Sequence, residues 1–182
     1  MIIGVTGIIG SGKSTAALLL ARRLRARVLD ADRIGREVLA GNHLVRFCLR
    51  CIFGSLERGV IARQAFASRA KLFWLNALTH PWICGIIRRR LRAGGDWVLD
   101  APLLFQAGLA KDCDYVILLT ARRPTLIRRL SARGYTAAQI RQRLAAGRDT
   151  PRYRRRAAAV IANDGSLADL KKALRAIPSE LS

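Results

Sequence analysis

Eight residues near the start, Gly7-Ile8-Ile9-Gly10-Ser11-Gly12-Lys13-Ser14, followed by Thr15, carry the clearest chemistry in this sequence. They satisfy the pattern G-x-x-x-x-G-K-[ST] at every fixed position. Glycines in such a turn let the backbone approach an anion closely, and successive N–H groups then face one hollow. The residues expected around a triphosphate are Ile8, Ile9, Gly10, Ser11, Gly12, Lys13, Ser14 and Thr15. Lys13 would reach the β- and γ-phosphates, and the Ser14 hydroxyl would ligate Mg²⁺.

Carboxylates follow at two places. Asp30-Ala31-Asp32 closes a short apolar stretch, and Asp100 closes Trp97-Val98-Leu99. Read as an extended segment, Asp30 and Asp32 point the same way. One could take a proton from a substrate hydroxyl while the other caps the next helix, and Asp32 is the better choice for the chemistry. Asp100, three apolar residues into its segment, suits a carboxylate that holds Mg²⁺ through water. Arg129 and Arg133, four apart on one helical stretch, could be brought over a phosphoryl group. Any single arginine in so basic a chain is more often solvated surface, so spacing alone does not choose between them.

The elements that must position these groups alternate. Ile2–Val5 reads as a buried strand entering the glycine turn, and Ser14–Arg25 as the helix leaving it. Further strands are expected at Arg27–Leu29, Trp97–Asp100, Tyr115–Thr120 and Ala157–Ile161. Alternation of this kind predicts an α/β fold around a five-stranded parallel sheet. From Arg33 to about Arg92 the pattern is helical, with breaks expected at Gly41-Asn42, Gly54-Ser55, Gly59 and His80-Pro81. About sixty helical residues exceed an ordinary crossover, which marks a substrate-binding insertion. Helices are expected over Pro124–Arg133 and Ala137–Ala146. Asn163-Asp164-Gly165 reads as a turn, with Ser166 capping a last helix.

The 182 residues suggest one domain, and 51% apolar content excludes a disordered chain. No apolar run approaches the ~18 residues that would span a bilayer. No leader pattern precedes the first strand, so a soluble cytoplasmic protein is expected. The charge is unusual: 33 Lys+Arg against 12 Asp+Glu give +21. Arginine supplies 28 of those cations and lysine five. They are dispersed without interleaved aromatics, so drift toward arginine over an enzyme framework competes with a nucleic-acid surface. Weak, salt-sensitive RNA association follows from either. Cys48, Cys51, Cys84 and Cys113 do not form a disulfide or zinc pattern, and Cys48 and Cys51 read as buried thiols.

Taken in order, T-G-I-I-G-S-G-K-S-T, V-L-D-A-D-R-I, W-L-N-A-L-x-H-P, V-L-D-A-P-L-L-F and V-I-x-N-x-G resemble the dephospho-CoA kinase family over roughly Ile3 to Leu167. The resemblance implies a three-layer α/β/α P-loop core (1–32, 95–122 and 157–182). It also implies a helical CoA-binding insertion at about 33–94 and a lid at about 123–156. It implies ATP-dependent phosphorylation of the ribose 3′-hydroxyl of dephospho-CoA with Mg²⁺, Asp32 as general base and Arg129 as lid arginine. The sequence departs from the family at Ile8, Gln106, Gly147 and Ala158-Ala159. Two other functions compete with this expectation: another small-molecule P-loop kinase, of nucleoside monophosphate or sugar-acid type, and a degenerate RNA-associating relative.

Overall fold

The computed structural model describes residues 1–145 and 150–178. Among them the chain forms two compact units, one of Met1–Asp30 with Ala93–Ser182 and one of Ala31–Arg92.

The first unit is built on five parallel strands: β1 (Ile2–Gly7), β2 (Arg27–Asp30), β3 (Trp97–Asp100), β4 (Tyr115–Thr120) and β5 (Ala159–Ala162). Their order is β2-β3-β1-β4-β5. The chain runs from β1 to β2 at one edge and back to β3, then passes β1 to β4 and β5 on the other side, so the C-terminal end of β1 lies at the switch point at which open α/β sheets bind ligands. Ile3, Val5, Val98, Leu99, Ile117, Leu118 and Leu119 are almost fully buried. Such apolar runs are what a parallel sheet covered on both faces requires. On one face the core joins the strands to Ala16, Ala17 and Leu20 of α1 (Lys13–Leu24) and to Leu170 and Leu174 of α9 (Leu167–Arg175). On the other, Gly4 leaves room for Leu104 and Cys113, whose side chains would meet a Cβ there at 2.8 and 2.9 Å. Ser166 and Asp169 form a reciprocal capping box at the start of α9. The expected β5 begins two residues later than its apolar run suggests.

Between β4 and β5 lie α6 (Arg123–Ser131), α7 (Ala137–Ala145) and α8 (Thr150–Arg154). Tyr153 stacks on Phe105 at 4.7 Å, and Arg156 lies over the same ring at 4.8 Å. Arg133 falls beyond the end of α6, because the chain leaves the helix at Ala132. The expected shared helix face of Arg129 and Arg133 is therefore not formed. Gly147 lies outside the described residues.

The second unit holds α2 (Ala31–Gly41), α3 (His43–Phe53), α4 (Arg58–Ala67) and α5 (Arg69–Arg92). The first three pack on the 24-residue α5. Gly35 lets α2 approach closely, with its Cβ position 3.4 Å from Ile83. Breaks fall at Asn42 and Gly54 as expected, but Gly59 lies inside α4 and the next break is Ser68. Nor does His80-Pro81 interrupt α5. Proline there removes the N–H that would bond the Ala77 carbonyl, at a cost of about 3 kcal/mol. Packing of α2, α3 and α4 along the helix holds the turn, and Thr79 Oγ1 donates to the Leu75 carbonyl at 2.7 Å. Burial lowers the pKa of His80 and so favours the neutral imidazole. The two adjacent thiols are also more open than expected: on α3, Cys48 is half-buried and Cys51 exposed.

Candidate active site

The glycine turn sits at the end of β1. Gly7 ends the strand at φ +148, and Gly12 stands before α1 at φ +94. Gly12, which has no side chain, is the N-cap of α1, and no side-chain cap bonds that end among the described residues. The first amides of the helix are thus left for an anion, where the helix dipole is positive. Lys13 is half-buried, while Ser14 and Thr15 are exposed on the first turn.

Three side chains donate to carbonyls of the loop. Lys13 Nζ donates to Ile8 O at 3.3 Å, Arg129 Nη1 to Gly10 O at 3.2 Å, and Asn163 Nδ2 to Ser11 O at 2.8 Å. The Ser11 amide closes the turn on Ile8 O at 3.1 Å. Ser11 is fully buried, and its hydroxyl has no hydrogen-bond partner among the described residues. Leu126 and Leu130 of α6 stand against Gly10, 3.4 and 3.5 Å from its Cβ position. Helix α6 therefore contacts the glycine turn through Leu126, Arg129 and Leu130.

Asp100 is 5% exposed and lies in register with Val5 of β1 on one side and Asp30 of β2 on the other. This carboxylate consequently sits at the strand ends beside the loop's entry. Asp32 is placed differently from expectation. The strand stops at Asp30 and α2 starts at Ala31, so Asp32 is a helical residue, exposed on the first turn of the second unit. The alternation that would align Asp30 with Asp32 does not exist, because the backbone turns helical between them.

Two residues read as a turn prove to be part of the site. Asn163 is 6% exposed, and its amide continues the sheet by donating to Thr120 O at 2.8 Å. Asp164 accepts the Arg122 amide at 2.7 Å, at the N-terminus of α6. That hydrogen bond foremost, with those from Thr125 and the charges of Arg122 and Arg129, holds its carboxyl below the usual range. The signal was present in V-I-x-N-x-G, but spacing alone does not reveal that its asparagine turns inward.

A parallel sheet with this strand order and a G-x-x-x-x-G-K-S turn ahead of an uncapped helix define the P-loop kinases, with their three-layer α/β/α fold. Shikimate kinase from Acinetobacter baumannii, in complex with shikimate, shares the fold at a TM-score of 0.59 and 17% identity, over 96% of this chain and 90% of that one. The chain belongs to the dephospho-CoA kinase family, whose model matches residues 1–169. A dephospho-CoA kinase of Moorella thermoacetica is 38% identical over 196 aligned positions, covering 99% of this chain and 92% of that protein. The crystal structure of TT1252 from Thermus thermophilus superposes with a TM-score of 0.82 at 34% identity, covering 100% of this chain and 98% of that one. This chain is a kinase. Among the described residues, no helix is long and apolar enough to cross a membrane.

Proposed function

We propose that this chain transfers the γ-phosphoryl group of ATP to the ribose 3′-hydroxyl of dephospho-CoA, giving CoA and ADP, the last step of CoA biosynthesis. The observation that carries the reading is the glycine turn, held by its carbonyls ahead of an uncapped helix, in a chain of this family. In phosphoryl transfer the protein mainly positions the groups and stabilises charge. Residues 8–15 hold the phosphates through Lys13 and the turn's amides, the Ser11 amide excepted. Arg129 turns from the Gly10 carbonyl to the phosphoryl oxygens.

A hard cation needs oxygen ligands, and the Ser14 hydroxyl with the Asp100 carboxylate supplies that chemistry. Those two residues would hold Mg²⁺, which would supply neutralisation of phosphate charge. Asp32 accepts the proton of the 3′-hydroxyl. The helical unit of residues 31–92 receives the CoA portion of the acceptor, and the segment at about 123–156 serves as the lid. The enzyme acts in the cytoplasm.

A coupled assay of ADP release with ATP, Mg²⁺ and dephospho-CoA tests this reading, with shikimate and nucleoside monophosphates as control acceptors. Dephospho-CoA should be phosphorylated far faster than the controls. ADP release no faster with dephospho-CoA than without an acceptor rejects it.

A further inference from the structure

The Asn163 amide reaches across 152 positions of sequence to one carbonyl of the phosphate-binding turn, Ser11 O, at 2.8 Å. The acceptor is a carbonyl, so the nitrogen end of the side chain must face it. A trans peptide unit is planar and holds its C=O and N–H on opposite sides. Fixing the Ser11 carbonyl toward β5 therefore aims the Gly12 N–H away from β5. Residue 12 is glycine for the same reason: a Cβ there would lie 2.3 Å from Asn163 Nδ2. Its φ of +94 is also one that L side chains rarely adopt. Asn163 is buried and anchored by its own backbone bond to Thr120 O, so it is a fixed post rather than a mobile contact.

We propose that Asn163 is a positioning residue for the nucleotide's phosphates: it locks the Ser11–Gly12 peptide plane so that the Gly12 amide is preset toward the anion. This rests on the kinase reading, because it assigns the ligand of that amide. The role is selective. Losing the lock weakens ligands that place phosphate in the turn and leaves the base and ribose unaffected.

Asn163→Asp keeps the shape and replaces the donor with a carboxylate facing a carbonyl. ADP and adenosine are the probes, titrated by calorimetry and NMR at pH 8 and pH 5.5 against wild type. At pH 8 the variant should bind ADP roughly ten- to a hundredfold more weakly, as expected for one buried hydrogen bond turned into a repulsion, with adenosine unchanged. Burial and the facing carbonyl raise the pKa of the introduced acid. At pH 5.5 its protonated form donates to Ser11 O, and the ADP deficit should narrow. Equal loss of ADP and adenosine affinity would make Asn163 a base contact and overturn the proposal. So would unchanged ADP binding at pH 8, or a deficit independent of pH. Should Asn163→Asp not fold, Asn163→Ser, too short to reach Ser11 O, must show the same split between ADP and adenosine. Wild-type protein that binds ADP without making CoA would remove the proposed acceptor and leave this inference standing. Wild type that does not bind ADP would remove both.

Discussion

Replacing Gly7 with alanine should be among the most damaging single-methyl additions in the sheet unit. The new Cβ would lie 2.2 Å from the Leu119 carbonyl oxygen and 2.9 Å from Ser11 Oγ. The first obstacle is the backbone of β4, which pairs with Gly7 in the ladder and cannot swing aside as a side chain end could. Two costs add. A non-glycine residue at φ +148 costs about 1–3 kcal/mol, and forcing a methyl into close-packed surroundings costs about 1–3 kcal/mol. Together they predict a loss of about 2–6 kcal/mol, a large share of the 5–15 kcal/mol typical of a domain. Gly108→Ala isolates the backbone contribution, since Gly108 lies in the same unit at φ +66 with nothing among the described residues within 4 Å of its Cβ position. That variant should lose only about 1–2 kcal/mol. Urea denaturation followed by circular dichroism measures both, and ADP titration of folded Gly7→Ala should show weakened binding because Ser11 is displaced. Equal destabilisation of the two variants would refute the clash argument, as would Gly7→Ala within ~0.5 kcal/mol of wild type.

Three further outcomes are expected. Asp32→Asn should cut turnover by ~10²–10⁴, the effect of a lost general base, with ATP affinity nearly intact; turnover within a few-fold of wild type refutes the assignment. Iodoacetamide at pH 8, read by peptide mass spectrometry, should label exposed Cys51 first and leave Cys113 unmodified. Burial foremost, then Asp112 and Asp114, push the Cys113 thiol up to about 12, which leaves only ~10⁻⁴ of it as the reactive thiolate at pH 8. Labelling of Cys113 at a rate comparable to Cys51 would contradict that. Arg25 ends α1 in the left-handed region at φ 52, so Arg25→Gly should add about 1 kcal/mol. Thermal melting should then rise by about 2–4 °C.

The sequence by itself determined the phosphate turn and the alternation around it. Glycine spacing, Lys13 and Ser14 are contiguous, and β3 and β4 are apolar runs whose limits the structure reproduces residue for residue. Those signals are local, and local backbone conformation is what they encode. The order of partly familiar segments likewise identified the family. Tertiary structure alone decided which polar residues have partners far along the chain. Among 28 arginines, spacing could not show that Arg23 caps the carbonyls of Leu174 and Ile177, or that Arg27 lies 4.0 Å over Trp97. Nor could it show that Arg129 meets Gly10 O while Arg133 has left the helix. Helix α5 runs through Pro81 because neighbouring helices outweigh a local breaker. Asn163 looked like any turn asparagine until the sheet brought β5 within hydrogen-bond reach of Ser11. Chain proximity in space comes from packing of the whole sheet, and no window of sequence contains both partners of such a bond.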